Sequence, residues 1–385
     1  MRVLRGLLLL AGTLASVAVA LLVLGLVAPW LPGVGLVGSL LVDGQPARFL
    51  LLGLVVAVAC GSAWRRGARR TAWVTSVTAV VTVVGSAVAL GAQLQVVHAV
   101  GVPLAWGDVL GATQPAPPAD EVVTYATVEG QVLRAGLWLP PGPVAQARPT
   151  VVWVHGGGFS SGDRDEQAGD YRYLAEHGYP VVSIDYRLAP PPRWQDATQD
   201  VVCALGWVTA HAQQYGFDPT RLVLSGGSAG GGLALNAAFG LAAGDVASSC
   251  GPVATAVPVA VAGSYPVADL VATWNDDGFR GYARTAARDY LGGTPAQVPD
   301  RYAAASPSTR VRPGLMPILL VTGANDHLIH VGQVRALADS LTAAGDDVEL
   351  HVVPFSDHAF DQFFHSVGNA LTRGLLLRFL QAHTG

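Results

Sequence analysis

The pattern of hydrophobic residues changes near residue 100. Before it, apolar residues run almost without interruption, and neither Leu7–Ala28 nor Val74–Val97 contains a charge. As a helix, each run is long enough to cross a hydrocarbon core of about 30 Å at about 1.5 Å per residue. A shorter apolar stretch between them predicts, with its flanking residues, a further span. We expect residues 1–100 to form a membrane anchor of three transmembrane helices, at about 7–28, 46–64 and 74–97.

The arginines predict the orientation of this anchor. Arg2 and Arg5 precede the first span, whereas residues 29–47 contain no arginine. The loop between the second and third spans contains Arg65, Arg66, Arg69 and Arg70. By the positive-inside rule, the part of the chain after the third span lies outside the cytoplasm. Two spans would place it on the opposite side. A cleaved signal peptide is the alternative for the first segment, disfavoured because its apolar run is long and others follow.

Residues 101–120 are rich in proline, glycine and alanine, which predicts a linker. The hydrophobic pattern after this linker is different. In residues 121–385, short β-branched runs alternate with segments of helical spacing, which predicts one α/β domain with a mostly parallel sheet and helices on both faces. YATVEGQVLRAGLWLPP predicts an antiparallel hairpin at one edge. The predicted strands are TVVWVH, PVVSID, RLVLS, VPVAVA, PILLVTG and VELHVV. The predicted helices are Asp196–Gln214, Ser228–Ala243, Gln333–Ala344 and His365–His383.

Composition narrows the function classes. The chain is 51% hydrophobic and only 13% charged, which indicates contact with lipid. Its net charge of -4 gives no case for nucleic-acid binding. We expect no metal and no organic cofactor.

A candidate nucleophile follows the strand RLVLS. There GGSAGG places Ser228 between Gly226 and Gly230, a G-x-S-x-G pattern at a strand-to-helix turn. The pattern alone is weak evidence in a chain with 46 glycines. Its position is stronger evidence, because ligands of open α/β sheets bind at the carboxyl ends of strands.

The partners that a serine nucleophile needs also follow strands. Asp326 comes after PILLVTG and His358 after VELHVV, in the order Ser, Asp, His. Alone, Asp326 is better explained as a turn or capping residue, and His358 equally well as a solvated loop histidine. Together with Ser228 they predict a catalytic triad. Weaker histidine candidates are His327, His330, His351 and His365.

The glycines of VVWVHGGGF provide a place for the oxyanion of acyl transfer. Glycine lets backbone N–H groups approach that oxygen closely, and the N–H of Ala229 after the nucleophile can face the same point. His155 is then expected to brace the loop. A phosphate-binding loop is excluded because no Lys-Ser/Thr pair follows the glycines.

From about residue 120 to 385, the chain resembles α/β-hydrolases of the hormone-sensitive-lipase and carboxylesterase type. The motifs that carry the resemblance are HGGGF at 155–159, DYRLAP at 185–190, GGSAGG at 226–231, GANDHLI at 323–329 and DHAF at 357–360. The segment DYLGGTPAQVPDRYAAASPSTRV is also similar to feruloyl-esterase-like members. The resemblance implies a serine esterase with the α/β-hydrolase fold. It assigns Ser228 as nucleophile, His358 as base and Asp326 as its orienting acid, with Gly157, Gly158 and Ala229 as oxyanion donors. Gly227 departs from the aspartate, glutamate or histidine often found before the nucleophile, which leaves the subfamily open.

Aromatic residues near the strand ends are candidates for the substrate pocket, first Phe159 and Tyr265, although ordinary core or surface packing explains any single one of them better. Trp194, Trp274, Phe279 and Tyr282 form the wider set. Cys203 and Cys250 fall in the extracytoplasmic part, where an oxidising compartment permits a disulfide between them.

The sequence therefore predicts a membrane-anchored serine hydrolase that cleaves carboxylic esters of small molecules through an acyl-enzyme. Two alternatives remain open, an acyltransferase that acts on a cell-envelope acceptor and a non-catalytic membrane receptor or interaction domain on a hydrolase scaffold. The sequence leaves the oligomeric state open.

Overall fold

The computed structural model describes residues 2–65, 68–111, 117–142, 146–278 and 281–385. They fall into two compact units. The first comprises Met1–Gln114, Gly323–Asn325 and Val353–Leu371, and the second comprises Pro115–Thr322, Asp326–Val352 and Thr372–Gly385. The first unit thus combines the predicted anchor with two short segments from the catalytic part of the sequence.

The apolar runs of the first unit are helical. Its helices are α1 (Arg2–Val27), α2 (Val34–Val42), α3 (Pro46–Arg65), α4 (Arg69–Val100) and α5 (Trp106–Leu110). The helix α5 lies inside the predicted linker, of which residues 112–116 are outside the described residues. Arg66 of the predicted basic loop is outside them as well.

Two of these helices, α1 and α4, are long and apolar enough to cross a membrane. The pair α2 and α3 passes the same criteria only as one broken span, bent by 103° between Val42 and Pro46. Large apolar side chains are exposed along the helices, as expected of surfaces that face lipid. They include Leu10, Leu14, Leu51, Val55, Val58, Trp73, Val80, Val84 and Val88.

Small residues allow α1 and α2 to approach closely. A Cβ atom added to Gly25 would lie 2.0 Å from the carbonyl oxygen of Val34, and one added to Gly38 would lie 2.3 Å from that of Leu22. No side chain fits at either position, so these glycines set the helix spacing.

The second unit is built on an eight-stranded sheet. Its strands are β1 (Glu121–Val128), β2 (Gln131–Trp138), β3 (Arg148–Val154), β4 (Val181–Ile184), β5 (Phe217–Gly227), β6 (Ala260–Ser264), β7 (Ile318–Gly323) and β8 (Val348–Val353). Their order in the sheet is β1-β2-β4-β3-β5-β6-β7-β8. The β1–β2 hairpin is antiparallel, as predicted, and β4, β3, β5, β6 and β7 pair in parallel. Every residue of β4, β6 and β7 is buried, because helices cover both faces of a parallel sheet. The predicted α/β-hydrolase fold is confirmed.

The helices that follow are α6 (Ala168–Glu176), α7 (Asp196–Ala210), α8 (Ala212–Tyr215), α9 (Ser228–Ala243), α10 (Leu270–Asn275), α11 (Tyr282–Leu291), α12 (Pro299–Ala305), α13 (Val331–Ala344) and α14 (Val367–Thr384). The helix α9 has the predicted bounds. The predicted helix 196–214 is interrupted at His211, where α7 ends and α8 begins. The sequence patterns did not predict α6 or α10 to α12, which have ten residues or fewer and are too short for periodicity to identify them.

Cys203 of α7 and Cys250, which follows α9, form a disulfide with their Cα atoms 5.6 Å apart. The bond joins α7 to the segment after α9, and α7 and α9 pack side by side.

Candidate active site

The predicted nucleophile occupies the turn from β5 into α9. Gly227 is the last residue of the strand and Ser228 is the first of the helix. Ser228 has φ = 54°, a left-handed conformation that a non-glycine residue adopts only when its surroundings impose it. Its residue surface is 9% exposed. A sharp, strained strand-to-helix turn of this kind presents a serine hydroxyl above the sheet.

The glycines on either side of Ser228 are sterically required. A Cβ atom on Gly230 would lie 2.1 Å from the carbonyl oxygen of Val154, and one on Gly226 would lie 2.5 Å from the same atom. The reason is the pairing of β3 with β5, in which Val154 stands opposite Gly226. The end of β3 thus packs against the nucleophile turn. Because this contact leaves no room for a side chain at positions 226 and 230, both must be glycine.

The glycine loop after β3 lies against the nucleophile. A Cβ atom on Gly156 would be 3.4 Å from the Cβ of Ser228. Gly157 and Gly158 both have positive φ, 96° and 59°. The backbone of the glycine loop therefore lies next to the nucleophile turn.

A buried set of side chains braces this loop. The Gly156 N–H donates to Oε2 of Glu166 at 2.7 Å, and the Tyr186 hydroxyl donates to the carbonyl oxygens of His155 and Gly156, each at 3.2 Å. The His155 ring stacks on Tyr186 with their centroids 4.3 Å apart. Burial lowers the pKa of His155 despite the opposing effects of its contact with the Gly156 carbonyl and of Glu166. A neutral, enclosed imidazole is suited to the bracing role that we predicted.

The brace at Glu166 and Tyr186 was missed by sequence reasoning. Tyr186 belongs to DYRLAP, which we used only as a family signature. The next residue, Arg187, forms a buried ion pair with Asp200, which accepts from its Nε and Nη2 and from its backbone N–H. The DYRLAP motif therefore supplies Tyr186, which holds the glycine loop, and Arg187, which forms the buried ion pair with Asp200.

Ala229 is the second residue of α9 and is fully buried. The N–H groups in the first turn of a helix have no acceptor within that helix. Ser228, Ala229 and the glycine loop thus come together in the second unit, around the end of β5.

Asp326 follows β7 and is 2% exposed. Its Oδ1 accepts from the backbone N–H groups of Leu328 at 2.9 Å and Ile329 at 2.7 Å. These two hydrogen bonds fix the orientation of the carboxylate. Asp326 can therefore stabilise its own turn and also orient a histidine.

His358 follows β8 and belongs to the first unit. There the Asn325 N–H donates to the Ser356 carbonyl oxygen at 2.9 Å, and the Ala324 N–H donates to that of Val353, also at 2.9 Å. The two residues before Asp326 are thereby hydrogen-bonded to Val353 and Ser356, which precede His358.

Three of the other candidate histidines, His330, His351 and His365, have local contacts. His330 caps α13 by accepting from the Gly332 N–H at 3.3 Å. His351 lies within β8, with its Nε2 3.5 Å from a carboxylate oxygen of Glu349. His365 lies with its Nδ1 3.4 Å from a carboxylate oxygen of Asp108.

The two aromatic candidates for the substrate pocket differ in their surroundings. The Phe159 ring is buried and stacks on Tyr290 with their centroids 3.9 Å apart, which is a core contact. Tyr265 lies beside the nucleophile turn, where a Cβ atom on Gly227 would be 3.2 Å from its hydroxyl. Phe279 is outside the described residues. In the part of the chain that the structure describes, no group of three or more His, Cys, Asp or Glu residues is arranged to hold a metal ion.

Residues 136–341, more than half of the chain, match the family described as BD-FAE. The chain belongs to the BD-FAE family. It is 32% identical over 242 residues to the probable carboxylic ester hydrolase LipM of Mycobacterium tuberculosis, covering 60% of this chain and 54% of LipM. It is 31% identical over 248 residues to esterase LipC of the same organism, covering 62% of this chain and 59% of LipC. The match therefore spans little more than half the length of these relatives.

Among solved structures, the fold is similar to Thermogutta terrifontis esterase 2 with propionate bound. The TM-score is 0.55 at 27% identity, and the match covers 70% of this chain and 96% of the esterase. The same esterase has been solved phosphonylated by sarin. The predicted resemblance to α/β-hydrolase esterases is confirmed by this membership and by these relatives.

Proposed function

We propose that this BD-FAE family member is a membrane-anchored serine hydrolase that cleaves carboxylic esters through an acyl-enzyme. The observation that carries the proposal is the strained Ser228 at the β5–α9 turn, with the positive-φ glycine loop packed against it. The esterase relatives support the class of reaction. A scaffold without catalysis would have no need to keep a strained serine beside a glycine loop.

In the proposed mechanism His358 accepts the proton of the Ser228 hydroxyl while the serine oxygen attacks the ester carbonyl carbon. The tetrahedral intermediate then collapses, and the alcohol leaves with the proton from His358. Water attacks the acyl-enzyme in the same way, giving its proton to His358, and the carboxylic acid departs as Ser228 recovers its hydrogen. Asp326 orients His358 and stabilises the imidazolium that forms in each half-reaction.

The negative charge on the carbonyl oxygen is assigned to the N–H groups of Gly157, Gly158 and Ala229. One such donor typically contributes about 2.7–4 kcal/mol to the transition state. Hydrogen bonds from the loop to Glu166 and from Tyr186 to the loop hold its backbone before substrate binds. The loop therefore does not have to be ordered during the reaction. Because the Thermogutta esterase was solved with propionate, short-chain esters are the first substrates to test.

We further propose three membrane crossings, with the catalytic part outside the cytoplasm. The orientation rests on the arginine distribution, and the number of crossings is supported by two contacts within the first unit. The Leu26 carbonyl oxygen near the end of α1 accepts from Asn325 Nδ2 at 3.3 Å, and Gln93 near the end of α4 donates to Ser356 Oγ at 3.3 Å. Asn325 and Ser356 are bonded to each other, so α1 and α4 end on the same side. Two helices that cross in the same direction require a return crossing between them, which supports the proposal that α3, with α2, forms the third span.

Labelling with a membrane-impermeant fluorophosphonate, in intact and in lysed cells, tests both proposals, with Ser228→Ala as the control. We expect intact cells to be labelled and the variant to be unlabelled. Labelling only after lysis would keep the enzyme and refute the outward orientation. Lack of labelling in both preparations would refute the serine hydrolase. Analysis of products from an ester with and without added alcohol or amine separates hydrolysis from acyl transfer.

A further inference from the structure

The segment that carries His358 is hydrogen-bonded to the anchor. Within the first unit, the backbone N–H of Asp357, directly before His358, donates to Oδ2 of Asp43 at 2.8 Å. Asp43 lies at the end of α2, at the break before α3. Both aspartates are buried, with Asp43 6% exposed and Asp357 fully enclosed. An anchor carboxylate therefore contacts the residue next to the proposed base.

A second polar contact comes from α4. Gln93 is fully buried, and its Nε2 donates to the carbonyl oxygen of Asp43 at 3.1 Å and to Ser356 Oγ at 3.3 Å. The Gly44 N–H donates to Oδ1 of Asp43 at 2.6 Å. Each carboxylate oxygen thus accepts a backbone N–H, and one amide links the α2–α3 break to the loop before His358.

Apolar packing also attaches the loop before His358 to the anchor helices. Phe355 packs against a buried cluster formed by Val23, Leu26, Val42 and Ala89. Apolar contacts have no directional preference, whereas hydrogen bonds to Asp43 and Gln93 fix where the backbone lies.

The choice of an acid at this place is itself informative. Asp43 is the only acidic residue in residues 1–100. A carboxylate in apolar surroundings is costly unless hydrogen-bonded, so ionisable groups in membrane segments generally mark function. One partner of Asp43 here is the backbone N–H of Asp357, directly before His358.

We propose that Asp43, supported by Gln93, is a positioning residue for His358, so that the anchor is part of the catalytic apparatus as well as a tether. The inference rests on the proposed function, in which His358 is the base. By holding the Asp357 N–H, Asp43 sets the backbone from which the imidazole projects. Its loss lets the loop shift and lowers the rate of proton transfer, without removing any group that touches the substrate.

The test uses the full chain in native membranes. We compare Asp43→Ala, which removes the acceptor, with Asp43→Asn, which keeps an oxygen that can accept, and with Gln93→Ala. The matched control is Thr82→Ala, which removes another buried polar group of α4 whose hydroxyl donates only within the helix, to Thr78 at 2.8 Å. On a short-chain nitrophenyl ester we expect Asp43→Ala to lower kcat by about 10- to 100-fold with little change in KM. Asp43→Asn should lose less, and Thr82→Ala should match wild type.

A second background distinguishes positioning from a general loss of structure. In a His358→Ala protein, adding Asp43→Ala should not lower the residual activity further, because its effect passes through His358. Equal losses in the two backgrounds, or Asp43→Ala activity equal to that of Thr82→Ala, would overturn the inference while leaving the serine hydrolase intact. A wild type as inactive as Ser228→Ala, or a His358→Ala variant as active as wild type, would overturn the proposed function and this inference with it.

Discussion

Replacing Gly157 with alanine tests the oxyanion site directly. The added Cβ atom would lie 2.1 Å from the carbonyl oxygen of Ser161 and 2.5 Å from its carbon, both backbone atoms that cannot rotate away. The loop must therefore move, and with it the N–H groups assigned to the oxyanion. Loss of one donor corresponds to about 2.7–4 kcal/mol, or about 10²- to 10³-fold in kcat. A residue at φ = 96° also carries backbone strain of about 1–3 kcal/mol, which lowers stability as well.

Gly178→Ala separates the two effects. Gly178 has φ = 95°, nearly the same as Gly157, but a Cβ atom there has no neighbour within 4 Å. Both variants should therefore lose similar stability from backbone strain, and only Gly157→Ala should lose kcat. The assay is hydrolysis of a short-chain nitrophenyl ester by membrane preparations, normalised to the amount of folded protein, with thermal midpoints measured in parallel. Equal kcat values for the two variants would refute the assignment of the glycine loop.

Three further predictions follow from buried groups. Asp200→Ala should lower the free energy of unfolding by up to about 3–5 kcal/mol, because it removes the fully buried partner of Arg187 and leaves only Glu129 and Asp196 beside the buried guanidinium; denaturant titration should show a smaller loss for Arg187→Met with Asp200→Leu. Replacing Cys203 and Cys250 together by serine should cost up to about 4 kcal/mol, since the bond closes a separation of 47 residues; unchanged resistance to proteolysis would contradict this. Burial lowers the pKa of His155, so the unfolded chain binds a proton below about pH 6.5 that the folded protein does not. Wild type should lose stability as pH falls through that range, and His155→Asn should show a flatter thermal midpoint against pH.

Much of the catalytic fold could be read from local patterns. The six predicted strands are all present, and α9 begins at Ser228 as expected. These predictions succeeded because strands of a buried parallel sheet are short, continuous and apolar, and because chemistry in this fold gathers at their carboxyl ends. The helices that were not predicted, α2, α5, α6 and α10 to α12, have ten residues or fewer, too few for periodicity to identify them.

The details of the candidate site depended on contacts that no local pattern reveals. The glycines at 226 and 230 are required by the Val154 carbonyl, which belongs to another strand. The brace from Glu166 and Tyr186 likewise comes from segments that are distant in sequence from the nucleophile.

Taken alone, the sequence determined the apolar spans, the α/β class and the identity of the candidate triad, because these follow from periodicity and from residue types at strand ends. Only the tertiary structure decided that the segment before His358 is bonded to the anchor. Gln93 and Ser356 are 263 residues apart. Such a pairing leaves no periodic trace in the sequence, since it depends on how two helix ends and a loop come together when the chain folds.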